Sequence, residues 1–156
     1  MVTSGCSDRP AGASSTGGND GAIDGAIPFQ EIFKDRYSRI TIQRGEVISA
    51  PERWQTVWND LTGLVPSPAL PVVDFGRASV ILAAMGENPD ACWTVEIEGV
   101  RSQGGLVHVT TTNVRSPPSC SCPPVIVQPI HVVSVDTTIT SAVFDVGMAT
   151  RGAPCN

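Results

Sequence analysis

The stretch Ala78-Ser-Val-Ile-Leu-Ala-Ala-Met85 decides the fold class of this chain. It is almost continuously apolar and has the length of a strand rather than of a helix. Such a segment is typical of a central strand whose two faces are both covered. Further along, Trp93, Val95 and Ile97 alternate with polar residues, which predicts a strand with one buried and one solvated face.

Short strands are predicted on both sides of this central segment. They cover residues 29–33 and 38–43 before it, and residues 106–112, 125–127, 130–135 and 139–146 after it. Ser102-Gln-Gly-Gly105 predicts a hairpin turn. We therefore expect a mainly β chain, an antiparallel sandwich or half-open barrel of about seven or eight strands.

One helix is predicted near residues 50–62. Ser49-Ala-Pro-Glu52 has the spacing of a capping box, with Ser49 as N-cap and Pro51 in the first turn. Gly63 is placed to end the helix. Between them, apolar residues follow one another at helical spacing: Trp54, Val57, Trp58 and Leu61. We expect this apolar stripe to pack on the sheet.

The composition limits the classes of function. A net charge of −5 with ten scattered basic residues argues against nucleic-acid binding. No apolar run approaches the roughly 20 residues of a membrane-spanning helix. The chain has neither a Gly-x-Ser-x-Gly motif nor paired carboxylates, and its two histidines lie in strand-like contexts. We expect a protein that is not an enzyme and that needs no cofactor.

Residues 1–27 are interpreted as a lipoprotein-like leader followed by a flexible linker, and residues 28–156 as one β-rich domain. Val2-Thr-Ser-Gly-Cys6 resembles the end of a bacterial lipoprotein signal, where small residues precede a cysteine that becomes lipidated. Residues 7–26 are rich in Ser and Gly and contain one sizeable apolar residue, Ile23. This pattern predicts an exported lipoprotein of the bacterial cell envelope, periplasmic or in the outer membrane, that meets the membrane only through its lipid. The alternative is a cysteine that occurs by chance in an unstructured leader.

The other four cysteines are Cys92, Cys120, Cys122 and Cys155. An even number in an exported chain predicts two disulfides. A bond between Cys120 and Cys122 would strain the bridge geometry, so each is expected to pair with either Cys92 or Cys155. Cys120 and Cys122 are also too close for the usual zinc-ligand spacing, and no metal site is predicted.

Six segments occur in an order that matches a known family. They are Glu52-Arg-Trp-Gln-Thr-Val-Trp58, Leu70-Pro-Val-Val-Asp-Phe75, residues 80–86, residues 88–97, Pro117-Pro-Ser-Cys120 and Gln128-Pro-Ile-His-Val-Val133. Through them, residues 29–146 resemble the C-terminal domain of the PrcB-like protease complex subunit family. The chain departs from that family where Ala91-Cys92 replaces a Gly-Gly pair, and at Cys122 and Cys155.

This resemblance implies an accessory protein that binds a secreted protease and stabilises or regulates it. A further similarity is to the chagasin-type peptidase inhibitors, which use loops at one end of a sandwich. The two resemblances imply protein-binding residues in three loops: Asn88, Pro89, Asp90, Pro118, Ser119, Gln128, Pro129 and His131. Two alternatives remain open. The loops are Pro-rich turns without a binding role, or the protein is a structural envelope lipoprotein without an enzymatic partner.

Overall fold

A computed structural model describes residues 24–62 and 68–151 of the chain. Within these residues, eight strands form two four-stranded sheets, and one helix lies on the second sheet. The two sheets face each other as a sandwich that does not close into a barrel. The predicted fold class, mainly β with one helix, is confirmed.

The strands follow one another in chain order with the helix between the third and the fourth. They are β1 (Gly25–Ala26), β2 (Phe29–Asp35), β3 (Arg44–Ile48), β4 (Ser79–Ala84), β5 (Trp93–Gln103), β6 (Leu106–Arg115), β7 (Ile130–Val135) and β8 (Val143–Thr150), with helix α1 at Pro51–Leu61. The first sheet has the order β1-β5-β6-β8 and the second the order β2-β7-β4-β3. The first sheet is flanked by β1 and β8, and the second by β2 and β3.

One strand pair departs from the predicted antiparallel arrangement. Neighbouring strands are antiparallel except β6 and β8, which run parallel. The reason is the connection at residues 136–142, which carries the chain from the end of β7 in one sheet to the start of β8 in the other. Strand β8 therefore enters the first sheet from the end at which β6 also begins.

Strand β4 is buried along its whole length, as predicted for a central strand. Val80 and Leu82 pack in a cluster with the apolar residues of α1. Ile81 and Ala83 face the other way and pack against Val95 and other residues of the first sheet. The second sheet is thus the middle layer of three, between the helix and the first sheet.

The apolar stripe of α1 is buried as predicted, but the predicted capping box is wrong. The N-cap is Ala50 rather than Ser49, and no side chain caps the first turn. Pro51 favours an extended conformation at the residue before it, and Ala50 has that conformation, so the helix begins one residue later. The predicted terminating residue, Gly63, lies outside the described residues.

Both tryptophans of α1 also hold the chain that follows the helix. The indole N–H of Trp54 donates to the carbonyl oxygen of Pro71 at 3.0 Å, and that of Trp58 donates to the carbonyl oxygen of Pro68 at 3.1 Å. Each ring therefore buries its apolar surface against the sheet while its one polar group is satisfied by the proline-containing connector.

Three of the predicted strands are absent, reduced or displaced, and the sequence pattern did not predict β3 (Arg44–Ile48). Residues 38–43 form no strand, residues 125–127 contribute one isolated bridge, and the last strand begins at Val143 rather than at residue 139. Side chains account for two of these differences. The N–H of Ile40 donates to the hydroxyl of Ser38, and the N–H of Ile139 donates to the hydroxyl of Ser79, so these amides do not join a ladder.

Strand pairing is present before Phe29 in the described residues. Strand β1 lies inside the segment interpreted as linker, where it pairs with β5, and the N–H of Ile27 donates to the carbonyl oxygen of Val100 at 2.8 Å. The described residues contain no helix with the length and apolar character needed to cross a bilayer. Cys6 lies outside the described residues.

Candidate functional site

Three connections of the sandwich meet at one end. Strands β2, β4 and β6 finish there, and β3, β5 and β7 begin there. Residues 36–43, 85–92 and 116–129 therefore lie at the same end, which we name the loop end. The opposite end carries the tight β5–β6 turn, where Gly104 and Gly105 both have positive φ.

Two of the loop-end connections are joined covalently. Cys92 and Cys122, which are 30 residues apart in sequence, form a disulfide. Beside it, Asn88 and Val127 exchange two backbone hydrogen bonds of 2.8 and 3.0 Å, and the N–H of Ala91 donates to the carbonyl oxygen of Pro123 at 3.0 Å. Residues 116–129 are thus fixed to residues 85–92 at several points, and together they form a rigid surface.

The sequence left open whether Cys122 pairs with Cys92 or with Cys155, and the structure shows the first of these disulfides. It lies where Ala91-Cys92 replaces the glycine pair expected from the family resemblance, and no described residue other than glycine has a positive φ. The bridge therefore holds the loop in place of a glycine turn. The sequence predicts two disulfides, and with Cys92 bonded to Cys122 the second would join Cys120 to Cys155. Cys155 lies outside the described residues.

A charged and aromatic cluster surrounds the bridge. One carboxylate oxygen of Asp90 accepts the N–H of Cys92 at 3.0 Å, and the other accepts Nη2 of Arg115 at 3.2 Å. The guanidinium of Arg115 in turn lies over the ring of Trp93, 5.0 Å from its centroid. Trp93 is consequently half-buried at the start of β5, and its ring is covered rather than presented to a partner.

The ligand atoms of Asp90, Cys92 and Cys122 lie within 4.8 Å of one another, a spacing that a metal ion would need. The two sulfurs are bonded to each other, however, and a disulfide sulfur offers no thiolate. The carboxylate is already shared between a backbone N–H and Arg115. We therefore interpret this cluster as a disulfide supported by hydrogen bonds of Asp90, and we do not propose a metal site there.

Several large apolar side chains are exposed at the loop end. Val125 and Ile126 project from residues 116–129, and Tyr37 and Ile42 project from residues 36–43. Exposed apolar side chains on a rigid surface, such as those of Val125 and Ile126, are typical of a protein-binding site. The β-branched side chains of Val125 and Ile126 favour a strand, and for this reason the sequence pattern did not indicate that they are exposed. The signal that could have identified them is the Pro123-Pro124 pair directly before them, since proline disfavours sheet pairing.

The structure separates the eight predicted binding residues into two groups. Asn88, Pro89, Asp90, Pro118 and Ser119 lie on the two stapled connections, and Gln128 is half-buried at the end of the second. Pro129 and His131 are buried, which leaves their side chains without access to a partner at this surface.

His131 joins the two sheets. It lies in β7, and its Nδ1 accepts the backbone N–H of Ile97 in β5 at 2.8 Å. The proton of the neutral ring is therefore on Nε2, which lies 3.0 Å from Oε2 of Glu31 and can donate to it. Burial lowers the pKa of His131 below its ordinary value, and the charge of Lys34 lowers it further, although Glu31 and Glu96 oppose this shift.

Ion pairs reinforce the same side of the sandwich. Glu96 of β5 accepts hydrogen bonds from Lys34 of β2 at 3.0 Å and from Arg151 at 2.7 Å, and Arg151 also contacts Glu98. The hydrogen bond from Lys34 holds the pKa of Glu96 below its ordinary value. Polar contacts therefore connect the two sheets along the side formed by β2 and β5.

Comparison of the chain with protein-family models, with curated proteins and with solved structures finds no match. The family resemblance suggested by the six sequence segments stays a prediction, and so do the residue roles that it implies.

The disulfide yields a stability prediction. The double substitution Cys92→Ser with Cys122→Ser is expected to lower the free energy of unfolding by about 3–4 kcal/mol, because a loop of roughly 30 residues is no longer closed in the unfolded chain. Urea unfolding followed by tryptophan fluorescence measures the change. The double variant is used so that no unpaired thiol can exchange with another bridge. An unfolding midpoint equal to that of the parent chain would contradict the prediction.

His131 yields a pH prediction. Because the folded state lowers the pKa of His131, the unfolded chain binds a proton more readily, and the free energy of unfolding should fall as the pH drops below about 6.5. His131→Asn, whose side-chain oxygen can still accept the N–H of Ile97, should lose this dependence between pH 7 and pH 5. His108→Asn, which alters the histidine paired with Asp145, is the control and should retain it. Equal slopes for the two variants in urea unfolding would exclude His131 as the cause.

Proposed function

We propose that this protein is an exported, lipid-anchored accessory module that binds a secreted protease through the loop end and stabilises or regulates it. The observation that carries the proposal is the exposure of Val125 and Ile126 on a connection stapled by the Cys92–Cys122 disulfide. A rigid connection loses little conformational entropy on binding. Most of the free energy that is gained when its apolar side chains are buried therefore contributes to affinity.

Export is supported by two independent features. A disulfide is compatible with an oxidising compartment such as the periplasm or the cell surface. The small residues before Cys6 supply the second feature, since they match the end of a lipoprotein signal. A lipid on Cys6 would place the domain at a membrane surface without a spanning segment.

A binding role is preferred to an enzymatic one because the described histidines are engaged in structural contacts. His131 connects the two sheets, and His108 pairs with Asp145 at 3.2 Å. The protease as partner follows from the resemblance to the PrcB-like family alone. The neighbouring positions of residues 88–92 and 117–122 also favour a second candidate, an inhibitor that inserts these connections into a protease cleft.

A capture experiment tests the loop end. The full chain, immobilised and mixed with envelope extract and culture fluid of its source, should retain a protease that is identified by mass spectrometry and by hydrolysis of casein. Ile126→Asp should reduce capture at least tenfold, since it places a charge at the centre of an apolar contact. Leu106→Asp at the opposite end is the matched control, because Leu106 and Ile126 are 56% and 58% exposed, and it should leave capture unchanged.

Two outcomes of that experiment would contradict the proposal. One is that no protease is retained, and the other is that Ile126→Asp and Leu106→Asp behave alike. Addition of the free chain to the captured protease then separates the two candidates. Lower turnover of casein identifies an inhibitor, whereas unchanged turnover with slower thermal inactivation of the protease identifies an accessory subunit.

The lipid anchor has its own test. Mass spectrometry of the native protein from its source should find residue Cys6 at the mature amino terminus with a mass increase of a diacylglyceryl group, with or without a further acyl chain. Cys6→Ser should abolish that modification and release the domain from the membrane fraction. An unmodified Cys6 in the native protein would exclude the anchor without affecting the loop-end proposal.

A further inference from the structure

In the part of the chain that the structure describes, the side of the sandwich opposite to His131 and Lys34 is open. There the edge strands β3 and β8 border a groove of about 300 Å³ between the two sheets. Ala83 and Val95 form part of its apolar lining, and the ring of Phe144 packs directly on the backbone of Gly45, where no side chain larger than hydrogen fits. The groove therefore lies between the sheets and is bordered by two strands that each pair with one other strand among residues 24–62 and 68–151.

Strand β8 lacks the features that usually protect an edge. Its eight residues contain no lysine and no proline, and its one charged residue is Asp145. Val146 and Met148 follow Phe144 at intervals of two, so they share the face that looks into the groove, yet they are 51% and 75% exposed. An apolar strand with a free edge and uncovered side chains is a template for another strand.

Arg44 adds a charge to this groove. It begins β3 and lies in the wall of the groove with Asn113, and its Nε and Nη2 atoms are buried without a hydrogen-bond acceptor among the described residues. The nearest carboxylate belongs to Glu46, but both of its oxygens accept hydrogen bonds from Arg53, at 2.5 and 2.9 Å. Glu46 remains 3.7 Å from Nε of Arg44, which is beyond hydrogen-bonding distance.

The side chain of Arg44 is 35% exposed, so a partner can reach it, and its unmet donors favour an incoming carboxylate because charge-assisted hydrogen bonds would then replace missing ones. The free edge of β8 restricts the source of that carboxylate. A small organic acid can pair with Arg44, but it cannot use the row of backbone N–H and C=O groups along β8. A peptide strand can use both.

We propose that the groove between β3 and β8 binds an extended segment of a partner protein, which adds to β8 as a further strand and places an Asp or Glu carboxylate against Arg44. Alternate residues of the segment would cover Val146 and Met148, and its backbone would pair with β8. The groove borders the loop end at Gln43, but neither Val125 nor Ile126 is part of its lining, and the proposal stands whether or not the loop end binds a protease.

Peptide display tests this proposal. Random heptapeptides displayed on phage are selected on the immobilised full chain, and the selected peptides are synthesised and titrated by fluorescence polarisation. We expect an acidic residue at one fixed position, with β-branched or aromatic residues two positions away on either side. Replacement of that acidic residue by its amide should weaken binding at least tenfold.

Variants of the protein locate the site. Arg44→Gln and Val146→Asp should each weaken peptide binding at least tenfold. Val143→Asp is the matched control on the same strand, since Val143 is 44% exposed and lies away from the groove lining, and it should bind as the parent does. Thermal unfolding of each variant verifies that it is folded, and Ile126→Asp should leave peptide binding unchanged because it alters only the loop end.

Three results would overturn the proposal. The first is a selection that yields no binding peptide or no preference for an acidic residue, which excludes the proposed occupant. The second is binding of the peptides by Arg44→Gln and Val146→Asp as tight as that by Val143→Asp, which excludes the proposed site. The third is a dimer of the full chain in light scattering that Val146→Asp converts to a monomer, which identifies a second copy of this chain as the occupant of the β8 edge.

Discussion

Strand β4 has neither a face nor an edge in contact with water. Helix α1 covers one face, the first sheet covers the other, and β3 and β7 pair with its two edges. Every neighbour of β4 is therefore fixed in position by apolar contact or by a ladder. Three connections leave this core together at the loop end, whereas the connection that contains α1 leaves it at the opposite end. The rigid core thus fixes the positions of the loop-end connections relative to one another.

Periodicity predicted the parts of the fold that depend on burial alone. The apolar run at residues 78–85 and the stripe of Trp54 and Trp58 report which faces are covered, and both are observed. Periodicity failed where a distant group takes over a backbone hydrogen bond. Ile139, for example, donates to Ser79, which is 60 residues away in sequence. A local pattern contains no information about such a partner.

The candidate site was only partly predictable, again because a local sequence pattern does not identify distant partners. The cysteines and prolines identified the two connections that the Cys92–Cys122 bridge joins, but the choice of partner depends on the topology. His131 illustrates the limit of a linear motif. The sequence predicts His131 as a protein-binding residue together with Gln128 and Pro129. Its side chain instead points inward and contacts a strand of the other sheet. Exposure is a property of the packed sheets, so residue type and spacing alone could not separate His131 from Ile126.

The parallel pairing of β6 and β8 has a consequence for the order of folding. Val143 pairs with His108, which is 35 residues earlier, whereas β5 and β6 are joined by a tight turn. The β5–β6 hairpin can form from local contacts, whereas the pairing of β8 with β6 closes a long loop that contains β7 of the other sheet. We therefore expect β8 to dock after the hairpin and to open before it, and the contacts of Arg151 with Glu96 and Glu98 oppose that opening.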